Sequence, residues 1–159
     1  MFGALLKGAL AGAAGTTALN AATYLDMAVR ARPASKTPQQ AVDKLAERSG
    51  RPVPGTGEDK QNRLAGLGPL LGVATGIGVG TAAGMLAPAL RRLPVPLAAL
   101  LVGGAAMAAA NLPMKQLEVS DPATWSAPDW ASDAIPHLAY GAVTCTALRL
   151  MSPGHAPAE

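Results

Sequence analysis

The sequence predicts an all-α fold: an integral membrane bundle of four transmembrane helices, held together by small-xxx-small packing, with one short amphipathic helix in a loop. Three observations predict it. Only 14% of the 159 residues are charged, against about 25% in an ordinary soluble domain. The charges are so placed that uncharged runs of 18, 27 and 22 residues separate Lys7 from Asp26, Arg63 from Arg91 and Arg92 from Lys115. A bilayer crossing takes about 20 such residues. Finally, glycine stands at 68, 72, 76, 80 and 84, every fourth position of the longest run. In a soluble helix each would cost roughly 0.5–1 kcal/mol against alanine, whereas between helices in lipid small residues let two backbones approach.

Taken in order, the first span covers about residues 3–27, and its small residues Ala4, Gly8, Gly12 and Thr16 share the four-residue spacing. Lys7 followed by an apolar run also fits a secretory signal over residues 1–25. The length of the run, Asn20 within it and the lack of a small-x-small site before Tyr24 and Asp26 favour a retained span. The loop 30–62 is hydrophilic. Within it, residues 38–49 predict the amphipathic helix, with Thr37 as N-cap, Gln40 completing a capping box and Gly50 as the stop. Val42, Leu45 and Ala46 share its apolar face.

Thr56 and Asp59 are placed to cap the second span, about 63–89. RRLPVP then turns the chain tightly into the third, about 94–114, so that the second and third spans form a hairpin. Trp125 and Trp130 lie in the next loop, as suits a segment at headgroup level. The fourth span, about 131–151, rests on a 15-residue uncharged run from 134 to 148 and needs Arg149 to reach outward to the interface. Pro136 is expected to kink it.

Loop 30–62 and its borders carry Arg30, Arg32, Lys36, Lys44, Arg48, Arg51, Lys60 and Arg63, with Lys115 on the same face. Lys7, Arg91, Arg92 and Arg149 lie opposite. The excess of positive charge predicts that loop 30–62 is cytoplasmic.

The packing residues expected from the spacing are Gly8, Gly12, Gly68, Gly72, Gly76, Gly80 and Gly84. Their partner is either the first span of the same chain or the 68–84 face of a second copy, which would make a homo-oligomer. The candidate polar site is Asp26, Asn111, His137 and Tyr140, because the four-span topology brings Asp26, Asn111, Lys115, Asp133 and His137 to one face. A histidine beside a carboxylate could relay protons there. The plainer reading is that helix ends reach water and that His137 serves a carbonyl freed by Pro136.

Other chemistry finds no support. Cys145 is the only cysteine, and His137 and His155 give no metal-ligand spacing, so no metal and no cofactor is expected. Gly76, Gly78 and Gly80 sit in an apolar span with no lysine after them, unlike a phosphate-binding loop. The net charge of +3 is concentrated in one loop and aromatics make up 3%, so no nucleic-acid partner is expected either.

PHLAYGAV at residues 136–143, with the small-residue first span through AGAAGTTALN and the proline-containing loop after it, resembles the YagU-like group of small bacterial inner-membrane proteins. The resemblance implies a multi-pass protein of the bacterial cytoplasmic membrane without an established biochemical activity, and it singles out His137, Tyr140 and Gly141. The function expected is therefore a non-enzymatic membrane protein of structural or interaction type, with the lipid bilayer as its first partner. Two alternatives are an oligomeric channel or transporter-like protein for protons or small solutes, and a holin- or toxin-like membrane-permeabilising protein.

Overall fold

A computed structural model describes residues 1–151, and His155 lies outside the described residues. Among the described residues all regular structure is helical. Four long helices dominate: α1 (Phe2–Arg30), α3 (Gly57–Met85), α5 (Val95–Gln116) and α6 (Ala127–Leu150). A shorter helix, α2 (Thr37–Arg48), follows α1, and a single turn, α4 (Ala87–Leu90), follows α3. Three of them, α1, α3 and α5, are long and apolar enough to cross a membrane. The sequence predicted a fourth. The α6 helix is 24 residues long but is not one of the three; Asp133, Pro136 and His137 in its middle lower its apolar content.

Cross-helix contacts give the direction of each helix. Gly84 meets Ala4 and Gly8, and Gly76 meets Thr16, so α1 and α3 are antiparallel. Thr144 reaches Ala11 while Arg30 reaches Ser132, so α6 also runs against α1. Asn111 meets Asp133 at one end of the α5–α6 pair and Leu93 meets Arg149 at the other. The helices therefore run up, down, up, down. Packing is heaviest between α1 and α3, α1 and α6, and α5 and α6. The hairpin expected of the second and third spans, α3 and α5, is antiparallel but touches only lightly, because α1 and α6 take their packing faces.

The interior inverts the usual distribution of side-chain size. Tyr140 and Thr144 are the largest fully buried side chains, and around them pack Ala11, Ala83, Ala98, Val102 and Ala106. Leu6, Leu10, Leu70, Leu100, Leu101, Ile135 and Leu138 instead face outward. A soluble domain rarely leaves so continuous an apolar coat.

Several ends differ in detail from the sequence reading. At α2 the N-cap is Lys36 and no side chain caps it; Thr37 is already helical, and its amide donates to the Ser35 hydroxyl. The capping box of Thr37 and Gln40 therefore does not form. At the other end of α2, Gly50 takes φ +69° and the Arg51 amide closes on the Ala46 carbonyl, a glycine stop that an L side chain would strain. Thr56 stands at the N-cap of α3 without a side-chain bond, and Glu58 and Asp59 in the first turn favour the positive end of the helix dipole. The start of α6 is the best-capped: Ser126 and Asp129 exchange bonds in a capping box.

Candidate functional site

Glycine decides where side chains can go. On α1, a Cβ at Gly8 would stand 2.6 Å from the Gly80 carbonyl oxygen, and one at Gly12 2.6 Å from that of Gly76. On α3, Gly80 abuts the Gly12 backbone and Gly84 that of Gly8. These contacts are backbone on backbone, so no side chain can turn aside to make room. Gly68 meets Pro38 and Gln39 of α2 instead of α1. Gly72 departs from the expectation: a Cβ there would meet nothing within 4 Å, and the residue is exposed. A four-residue step overshoots the 3.6-residue turn, so a stripe of that spacing winds away from a neighbour that stays on one side. Within the chain, the rest of the 68–84 face is covered by α1 and α2.

The same absence of side chains makes room for Tyr140. A Cβ at Gly15 would press on the Tyr140 ring and the Thr144 hydroxyl. With glycine there, the ring enters fully, and its hydroxyl donates to the Gly76 carbonyl at 2.6 Å. That bond ties α6 to α3 across the bundle. Thr144 donates to the Ala11 carbonyl at 3.4 Å, while Thr16 bonds back to Gly12 within its own helix. On the other side of α6, Gly103 abuts the His137 carbonyl and Gly141 abuts Ala99. The four-residue register missed Gly15 and Gly103; the small-residue runs around them were the available signal.

The polar residues expected in one site separate: Tyr140 binds Gly76 as described, Lys115 pairs in the loop after α5, and the others form two groups. In the first, Asn111 Nδ2 donates to Asp133 Oδ2 at 2.7 Å. His137 Nδ1 lies 2.7 Å from the Asp133 carbonyl and 3.5 Å from its Oδ1. A carbonyl oxygen only accepts, so Nδ1 carries the proton. The ring thus serves the carbonyl next to the one that Pro136 leaves without a donor, which belongs to Ser132. Asp133, expected on this face but left out of the four candidate residues, is the one that joins Asn111 to His137, and its i, i+4 spacing to His137 was the signal.

Asp26 belongs to the second group. It pairs with Arg30 at 2.7 Å and with Arg32 at 2.5 Å, not with His137. Two guanidiniums within reach on its own side of the loop outcompete a partner on another helix. Arg30 also donates to Ser132, which brings the two groups side by side at the same end of the bundle. Lys115 pairs with Asp121 at 3.1 Å in the loop after α5. The Ala123 amide first, and the Lys115 ammonium second, hold the Asp121 carboxyl below the usual carboxylate range. Next to it, Trp125 and Trp130 meet edge to face with centroids 5.3 Å apart.

Every acidic residue described lies at this end or in α2 and the loops beside it, whereas Lys7, Arg91, Arg92 and Arg149 occupy the other end. There Arg149 donates to the Leu93 carbonyl at 2.7 Å. Among the described residues no three His, Cys, Asp or Glu converge as metal ligands. The Asn111, Asp133 and His137 group can hold a proton or orient a water. No family model, curated protein or solved structure matches the chain.

Proposed function

We propose that this chain is a small multi-pass integral membrane protein of structural or interaction type, with α6 as a fourth membrane helix beside α1, α3 and α5. The inversion of side-chain size carries the reading. Most leucines coat the outside while glycine, alanine and threonine, with only a few larger residues such as Tyr140, Val102 and Leu148, fill the inside, an arrangement that costs stability in water and none in lipid. Close small-xxx-small packing then replaces the hydrophobic effect as the force between helices. The excess of Lys and Arg around loop 30–62 supports a cytoplasmic placement of that loop. The PHLAYGAV resemblance supports a bacterial inner membrane and kinship with the YagU-like group.

Backbone contact along α1 and α3, and a fully buried Tyr140 at the centre, favour a closed scaffold over a conduit. For the holin-like alternative, the α3 glycines needed for assembly are already packed against α1. One observation favours transport as a second reading: the part-buried Asn111, Asp133 and His137 group near a helix end. The test is proton flux in proteoliposomes together with flotation on phosphatidylcholine vesicles. The scaffold reading expects co-flotation and a flux equal to that of empty vesicles. A flux that His137→Ala and Asp133→Asn both abolish would replace it with transport, and failure to float would overturn the membrane reading itself.

A further inference from the structure

A groove of about 570 Å³ opens between α2, the turn after it and the start of α3. Its walls carry two kinds of chemistry. Val42, Leu67 and Leu70 are apolar, and Leu70 is 62% exposed. Arg51, Asn62 and Arg63 are donors, and no acidic side chain lines the groove. On α2, Asp43 is engaged by Lys60 at 2.8 Å.

The two arginines are held differently. Arg63 Nη1 donates to the Pro54 carbonyl at 3.0 Å, which fixes the guanidinium over the turn and leaves its other N–H groups to point elsewhere. Arg51 is exposed and makes no side-chain bond to any described residue. A fork of donors beside an apolar wall matches a phosphodiester joined to acyl chains.

The position of the groove adds to the match. Arg63 is the last charge before 27 uncharged residues, and Leu67 and Leu70 are one and two turns further along α3. If α3 crosses a bilayer, the arginines stand at headgroup level and the leucines in the upper acyl region. We propose that this groove binds one anionic phospholipid, its phosphate on Arg51 and Arg63 and a chain along Leu67 and Leu70. The proposal rests on the membrane reading of α3.

The test is native mass spectrometry of the full chain released from micelles, with phosphatidylglycerol, phosphatidylcholine or glycerol phosphate added. One phosphatidylglycerol is expected to stay bound, at least fivefold more tightly than phosphatidylcholine. Arg51→Gln, which breaks no hydrogen bond or ion pair among the described residues, should weaken it about fivefold, and adding Arg63→Gln should remove the preference for the anionic lipid. Lys44→Gln, on α2 but off the groove, should leave it unchanged. No preference for phosphatidylglycerol, or an equal loss with Lys44→Gln, would overturn the proposal. Equal retention of glycerol phosphate would make the groove a site for soluble anions and overturn it as well. Flotation on phosphatidylcholine vesicles separates the two failures, since it reports the membrane reading alone.

Discussion

Helix α1 packs against two neighbours by different physical means. Toward α3, Gly8 and Gly12 place backbone on backbone, and only at Gly76 does a side chain, that of Thr16, lie between the glycines and the neighbouring helix. Toward α6, Gly15 makes a recess, and Tyr140 and Thr144 fill it with side chains that end in hydrogen bonds. The first seam depends on the absence of volume and tolerates none. The second depends on a particular shape and on buried polar groups that must be satisfied, since the packed interior leaves no water to replace their partners. One helix can therefore be very sensitive to added atoms on one face and sensitive to lost hydrogen bonds on the other.

The largest effect should come from filling the first seam. Gly80→Leu puts a Cβ against the Gly12 backbone, so the helices must separate; a loss of about 3 kcal/mol or more is expected in reversible unfolding in mixed micelles. A variant as stable as the parent would show that α1 and α3 do not touch as described. Tyr140→Phe keeps the ring and removes only the bond to Gly76, and interhelical bonds of this kind contribute about 1 kcal/mol in membranes. Should it cost as much as Gly80→Leu, the side-chain seam would be the dominant one. Gly72→Ala meets open space and gains helix propensity, so stability should stay within about 0.5 kcal/mol and the oligomeric mass should not change. A change of mass would assign Gly72 to a contact between copies.

The smallest effect is expected at the exposed loop. Because the Ala123 amide and Lys115 hold the Asp121 carboxyl below its ordinary value of 3.8, the loop gains stability that is complete above that pH. That stability disappears as the pH falls through the lowered value. The fluorescence of Trp125 and Trp130, next to this contact, should stay flat from neutral pH down to about 5 and change only below 3.8. Asp121→Asn should remove that acid step. An acid step that survives Asp121→Asn would overturn this assignment.

Much of the helical framework was legible because it depends on charge placement and spacing along a chain. The three uncharged runs mark α1, α3 and α5, the helices apolar enough to cross a membrane. The fourth span is expected from about 131, but α6 begins at Ala127, and the Ser126 to Asp129 capping box that fixes its start is a signal the sequence reading missed. The site was harder to read. Asp26 shares an end of the bundle with His137, and topology alone suggested that they would meet. Arg30 and Arg32, a few residues away, settle its charge locally. The capping box at Thr37 failed for a similar reason, as Ser35 binds the amide that the box was expected to order.

By itself the sequence determined the long apolar helices, their order and the segregation of charge to their ends, because hydropathy and helical period are properties of neighbouring residues. The tertiary structure decided which glycines lie in contact and which face outward, since the stripe on α3 winds and only a neighbouring helix of given direction selects its members. It also decided that Tyr140 bonds a carbonyl on a helix more than 60 residues earlier in the chain. A mid-helix carbonyl becomes reachable only where Gly12, Gly15, Gly76 and Gly80 come together, and no local pattern encodes that meeting.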